Sequence, residues 1–117
     1  MSPELSFSVR ERNGARAVVQ VSGAMDYDTS DPLEAALTAL VRDGAHHLVL
    51  DMADVTFCDS SGINTLVRAL ARAKQEKGTL ALAATPARLR AVLELTGVDT
   101  VITTYPTVAL ALDSIPG

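Results

Sequence analysis

The chain has 117 residues, with 10 Lys and Arg against 14 Asp and Glu for a formal charge of −4, and it is 48% hydrophobic and 21% charged. That composition suits one globular domain over residues 1–117, burying somewhat over ~60% of its unfolded surface without a metal or disulfide staple. Its acidic balance and four aromatic residues exclude the positive field and stacking platform that nucleic acid requires. Cys58, the single cysteine, has no partner for an internal disulfide. The opening residues MSPELSFSVRERNGARAVVQV are polar where a signal peptide needs an apolar run, and no apolar stretch approaches the ~18 residues of a membrane span. A cytoplasmic chain without membrane insertion is the expectation.

Leu5, Phe7 and Val9 alternate with Ser6, Ser8 and Arg10, the period of a half-buried strand. Arg12-Asn13-Gly14 then signals a turn, and Ala17 to Val21 returns as the second arm of an antiparallel hairpin closed by Gly23. A helix is predicted next, with Asp31 as its cap, Pro32 in the first turn and Glu34 at capping-box spacing. Leu33, Ala36, Leu37, Leu40 and Val41 form its apolar stripe, and Gly44 stops it. Leu48 to Met52 reads as an interior strand, followed by a loop through Val55 and Cys58. Asp59-Ser60-Ser61-Gly62 opens a second helix that buries Ile63, Leu66, Val67 and Leu70 and ends at Gly78. Leu80 to Ala84 is a strand, and Thr85-Pro86 starts a third helix with Leu89, Val92 and Leu93 inside and Gly97 as its stop. Val101 to Thr103 is a last strand, and Pro106 begins a terminal helix that turns Val108, Ala111, Leu112 and Ile115 inward. The order β-β-α-β-α-β-α-β-α predicts an α/β fold with a mixed sheet of four to five strands, its later neighbours parallel.

The chemistry available in this order is limited. His46 and His47 are adjacent at a strand entry, where extended backbone points them to opposite faces and denies them a shared metal. The glycines lack phosphate-loop or dinucleotide spacing, and Gly44, Gly78 and Gly97 read as helix stops, so no cofactor is expected. Cys58, Ser60 and Ser61 share a strand-to-helix joint, the place of many nucleophiles. A hydrolytic serine needs a base within hydrogen-bond reach, however, and both histidines lie at the far end of the preceding strand, ~17 Å away for five extended residues. Cys58 sits beside Asp59, which opposes thiolate formation. Asp51, Asp54 and Asp59 cluster at the same joint, but an aspartyl-phosphate receiver also needs an acidic pair after its first strand, where Val9-Arg10-Glu11-Arg12 stands. Ser60, or Asp59, can cap the second helix by accepting a backbone N–H from its first turn, worth ~1 kcal/mol, and the functional reading adds a phosphoryl acceptor. Ser60 is an exposed hydroxyl at a helix N-terminus, where a phosphoryl group of charge ~−1.5 to −2 would join Asp54 and Asp59 in a dense negative patch and act mainly on binding.

The run Leu48-Val49-Leu50-Asp51-Met52-Ala53-Asp54-Val55-Thr56-Phe57-Cys58-Asp59-Ser60-Ser61-Gly62-Ile63 resembles the signature of STAS domains, specifically bacterial anti-sigma factor antagonists. Gly23-Ala24-Met25-Asp26, followed by Thr29, is similar to that family's Gly-Glu-Leu-Asp segment, with Ala24 in place of the acid. Essentially the whole chain is covered. The resemblance implies a single STAS-like domain with about four helices packed mainly on one side of the sheet. It also implies a switch protein that is not an enzyme. The unphosphorylated form would bind an anti-sigma factor that is also a serine protein kinase and so release the sigma factor. Phosphorylation of Ser60 would abolish binding, and a serine phosphatase would reset it. The implied contact residues are Asp26, Asp59, Ser60, Ser61 and Gly62, with Asn64, Thr65, Arg68 and Arg72 on the exposed face of the second helix. The alternative use of such a chain is as a STAS subunit of a stress-sensing or lipid-transport assembly without a kinase cycle.

Overall fold

Gly14 adopts a positive φ of 61°, which an L side chain resists, and this folds the first strand back onto the second. In the computed structural model, which describes residues 5–115, these strands are β1 (Ser6–Asn13) and β2 (Arg16–Met25). They are followed by α1 (Ser30–Arg42), β3 (His47–Cys58), α2 (Ser60–Gln75), β4 (Thr79–Ala83) and α3 (Ala87–Thr96). A single 3-10 turn at Val98–Thr100, β5 (Thr103–Tyr105) and α4 (Val108–Asp113) complete the order. The strands form one sheet in the order β1-β2-β3-β4-β5, with β1 antiparallel to β2 and every later pair parallel. The element order and mixed α/β sheet are the predicted ones.

Two hydrophobic clusters explain why the sheet is stable. On one face Val19, Val21, Leu48, Leu50, Met52, Leu80 and Leu82 meet Leu33, Leu37 and Val41 of α1, Ile63, Leu66 and Leu70 of α2, and Leu89 and Leu93 of α3. On the other, Val18, Val49, Ala81 and Ala83 meet Ala111 and Ile115 around α4. β3 is central, so its residues alternate between two covered faces, and Leu48, Val49, Leu50 and Met52 are all fully buried. Each such large side chain contributes ~1.5–3 kcal/mol relative to exposure. Three helices on one face and a short fourth on the other match the expected one-sided packing.

Several local expectations need correction. α1 begins one residue before Asp31, with Thr29 at its N-cap, and Glu34 reaches Arg68 of α2 instead of closing a capping box. The hairpin turn falls at Gly14-Ala15, because Arg12 and Asn13 stay paired with Ala17 and Arg16, and β2 continues past Gly23 to Met25. Arg12 then grips Asp43 at the end of α1, its Nη1 donating to Oδ2 at 2.9 Å and its Nη2 to the backbone carbonyl at 2.8 Å. Val9 is 48% exposed where the alternation placed it inside; it keeps its register opposite Val19 but lies on β1, an edge strand of the sheet. Val67 is 39% exposed, just off the buried stripe of α2. Gly78 is not the left-handed stop of α2: Lys77 carries the positive φ of 60°, and Gly78 is needed because the His46 carbonyl leaves no room for a β-carbon. Val101 is outside β5, which starts at Thr103, and α4 starts at Val108 with the Thr107 hydroxyl accepting from the Leu110 N–H at 3.1 Å. The His46 and His47 rings do not part to opposite faces; they meet edge to face with centroids 5.2 Å apart, because His46 precedes the strand.

Candidate functional site

Parallel pairing brings the carboxyl ends of β2 and β3 side by side, Ala24 opposite Phe57 and Met25 opposite Cys58. β3 carries an extra residue twice: it advances from Asp51 to Asp54 while β2 advances from Gln20 to Ser22, and from Val55 to Phe57 while β2 goes from Gly23 to Ala24. Such bulges bend a strand and raise its twist. They also turn the expected loop through Val55 and Cys58 into strand. β4 leaves β3 after the Asp51–Ala83 pair, so the last part of β3 is held by β2 alone among the described strands.

The joint to α2 is built on Asp59. Its backbone N–H donates to the Met25 carbonyl at 3.1 Å, and its Oδ1 accepts from the N–H groups of Ser61 at 2.8 Å and Gly62 at 3.2 Å. Of the two capping candidates, Asp59 and Ser60, it is therefore Asp59 that caps α2, a role typically worth ~1 kcal/mol. Ser60 is the first residue of α2 and is exposed, and its hydroxyl makes no hydrogen bond among the described residues. Gly62 is buried and permits the close approach. A β-carbon there would lie 2.6 Å from the Met25 carbonyl oxygen, 2.7 Å from Cys58 Sγ and 2.9 Å from Met25 Cβ. Burial and then the Asp59 charge push the Cys58 thiol up to about 12, which keeps it protonated and un-nucleophilic at neutral pH.

Asp26 stands at the end of β2 beside Asp59. Its Oδ1 accepts from the N–H groups of Asp28 at 3.0 Å and Thr29 at 3.2 Å, while the Asp26 N–H donates to Thr29 Oγ1 at 2.9 Å. Thr29 Oγ1 in turn donates to the Ala24 carbonyl at 2.8 Å. Asp26 therefore shapes the turn before α1, and this carboxylate oxygen is already engaged. The Asp51 and Asp54 carboxylates are likewise used locally, Asp51 accepting from the Ala53 N–H at 3.1 Å and Asp54 from Gln20 Nε2 at 3.1 Å. Among the described residues no group of three His, Cys, Asp or Glu side chains could hold a metal ion.

On α2, Asn64, Arg68 and Arg72 repeat every four residues and are exposed. Arg68 Nε donates to Glu34 Oε1 at 2.5 Å, joining α2 to α1. Thr65 is the exception to the predicted face. It is fully buried, and its hydroxyl donates to the Ser61 carbonyl at 3.2 Å, because it lies one residue round the helix toward Leu66 and Ala69. Tyr27, 81% exposed, and Phe57, 55% exposed, flank the same joint in the chain and are not among the contact residues implied by the sequence. Tyr27 lies between two aspartates in a turn, a setting that rules out a core position; for Phe57 only the β3 bulges decide its exposure.

A mixed five-stranded sheet that presents a free serine at the head of its second helix defines a STAS-type α/β domain. A family model described as STAS domain matches residues 6–111, and the chain belongs to that family. It is 32% identical in sequence to a solved anti-sigma factor antagonist from Mycobacterium paratuberculosis, with a TM-score of 0.85 over 96% of this chain and 94% of that one. An anti-sigma-B factor antagonist of Staphylococcus aureus is 29% identical over 79 residues, covering 68% of this chain and 73% of its own length. The phosphorylated form of the Bacillus cell fate determinant SpoIIAA shares the fold, at 18% identity and a TM-score of 0.72 over 92% of this chain and 97% of that one. Among the described residues, no helix is long and apolar enough to cross a membrane.

Proposed function

We propose that this chain is an anti-sigma factor antagonist that works by partner switching: unphosphorylated, it binds an anti-sigma factor with serine kinase activity and frees the sigma factor. Phosphorylation of Ser60 ends that binding and a serine phosphatase restores it. The chain is ligand and substrate in this cycle, not catalyst. The observation that carries the reading is the division of labour at the head of α2, where Asp59 caps the helix and the neighbouring Ser60 hydroxyl is exposed and unengaged. The likeness to antagonists in Mycobacterium and Staphylococcus supports it.

The geometry explains how one phosphate acts. A helix N-terminus ordinarily welcomes an anion through its free N–H groups. Here the Ser61 and Gly62 N–H groups are taken by Asp59, so a phosphate on Ser60 finds fewer free donors at the helix head than an uncapped end would offer. It stands outward as ~−1.5 to −2 charges beside a carboxylate, on the surface the partner must cover. Contact residues are Asp26, Asp59, Ser60, Ser61 and Gly62 with Asn64, Arg68 and Arg72. Thr65, being buried, supports Ser61 from behind and is no contact.

The test uses the purified chain and its Ser60→Ala and Ser60→Asp variants as baits in bacterial lysate with ATP and magnesium. A kinase-like protein retained by parent and Ser60→Ala but not by Ser60→Asp, with phosphate mapped to Ser60 of the parent, is the expected result. Identical captures on all three baits and no phosphate on Ser60 would refute the switch.

A further inference from the structure

We propose that the cleft at the carboxyl ends of β4 and β5 is a binding site for a small organic anion, held by Arg90 with the hydroxyls of Thr85 and Thr104. The cleft measures about 490 Å³ and is lined by Ala84, Thr85, Arg90, Thr104, Tyr105 and Pro106. That volume lies in the range of small-molecule sites.

Three further observations converge on it. Thr85 is 8% exposed, and its Oγ1 is the one buried side-chain oxygen or nitrogen among the described residues without a hydrogen-bond partner. A buried hydroxyl left unpaired costs stability, so a rotation of the Thr85 side chain that brings it to a ligand oxygen in the cleft relieves that cost. The preceding Ala84 has a φ of 55°, a left-handed conformation unfavourable for a residue with a β-carbon. Its N–H donates to the Tyr105 carbonyl at 2.9 Å, which extends the parallel β4–β5 ladder by one residue and fixes the backbone just before Thr85. Arg90, on the exposed face of α3, takes part in neither of the ion pairs among the described residues, Arg12–Asp43 and Arg68–Glu34.

The ligand class follows from the lining. No carboxylate faces the cleft, so nothing there would hold a cation, whereas a guanidinium can take a carboxylate or phosphate through paired N–H donors. The volume exceeds that of a bare oxyanion and leaves room for an organic body against Ala84 and Pro106. The site stands apart from Ser60, which follows β3, and its existence does not depend on the switch.

The experiment is a ¹H–¹⁵N titration of the full chain with phenyl phosphate, benzoate and inorganic phosphate in separate arms. Saturable shifts confined to Ala84, Thr85, Thr104, Tyr105 and Arg90 are expected with at least one of the two organic probes, and the stronger arm identifies the oxyanion. Arg90→Gln should weaken binding by about tenfold or more. Thr85→Val should also weaken it while melting no lower than the parent, since it removes an unpaired hydroxyl. The proposal is overturned by non-saturating shifts, by shifts spread over all arginines, by undiminished affinity in Arg90→Gln, or by inorganic phosphate matching both organic probes.

Discussion

Replacing Gly62 with alanine sets two effects of opposite sign against each other. Alanine is the better helix former by ~1 kcal/mol, so at an open helical position the variant would gain stability. At Gly62 the added methyl would stand 2.6 Å from the Met25 carbonyl oxygen and 2.9 Å from Met25 Cβ. Neither atom can rotate away, although Cys58 Sγ at 2.7 Å can. Relief requires the head of α2 to move off the end of β2, straining the Asp59 N–H to Met25 carbonyl bond. Overpacking of this kind costs ~1–3 kcal/mol, and two immovable contacts place it at the upper end. The expected net loss is ~2 kcal/mol, a fall in melting temperature of roughly 10 °C for a chain of this size. Urea denaturation of parent and variant reads it as a lower midpoint at unchanged slope. A Gly62→Ala variant as stable as the parent, or more stable, refutes the close approach.

Asp59→Ala should destabilise by ~0.5–2 kcal/mol while Asp59→Asn, which keeps an accepting oxygen, loses much less; equal losses in urea would show that the side chain caps nothing. The Cys58 thiol has an ordinary value of 9.0 and a folded one of about 12, so the unfolded chain releases its proton first as pH rises. Its contribution is therefore complete below pH 9 and is lost between pH 9 and 12, a decline that Cys58→Ala should remove from the pH–stability profile. At pH 8 the native thiol should resist alkylation and react promptly once urea unfolds the chain. The Glu34–Arg68 pair is half-exposed, so a double-mutant cycle with alanine at both positions should give a coupling of only ~0.2–1 kcal/mol, shrinking with salt.

The elements that sequence periodicity made legible are those whose burial is one-sided and regular. Leu33, Leu37 and Val41 could be placed inside from their spacing alone, as could Leu66 and Leu70, and all five are buried. The apolar pattern of β3 stops at Met52 because its bulges let Ala53, Asp54 and Thr56 interrupt it, and pairing with β2, not composition, keeps that stretch extended. β5 is three residues long, too short a run to carry a period, so the apolar Val101 draws the expected strand two residues early. At the site, residue type and order leave the cap open between Asp59 and Ser60, and only the hydrogen bonds from the Ser61 and Gly62 N–H groups assign it to Asp59. The engagement of Asp26 by its own turn and the burial of Thr65 were not legible either. The first depends on Thr29 folding back to the Ala24 carbonyl, and the second on where α2 is rotated against the sheet.

The sheet order repeats the chain order, and this bears on synthesis. Each strand leaving the ribosome can dock on the one made just before it, and no later strand must wedge between two already joined. The β1–β2 hairpin is a local start, and each following helix covers the newest seam as it forms. Assembly thus proceeds in one direction, with the growing margin of the sheet always the next template. The Ser60 joint is complete once α2 has emerged, while β4, β5 and α4 are still to come.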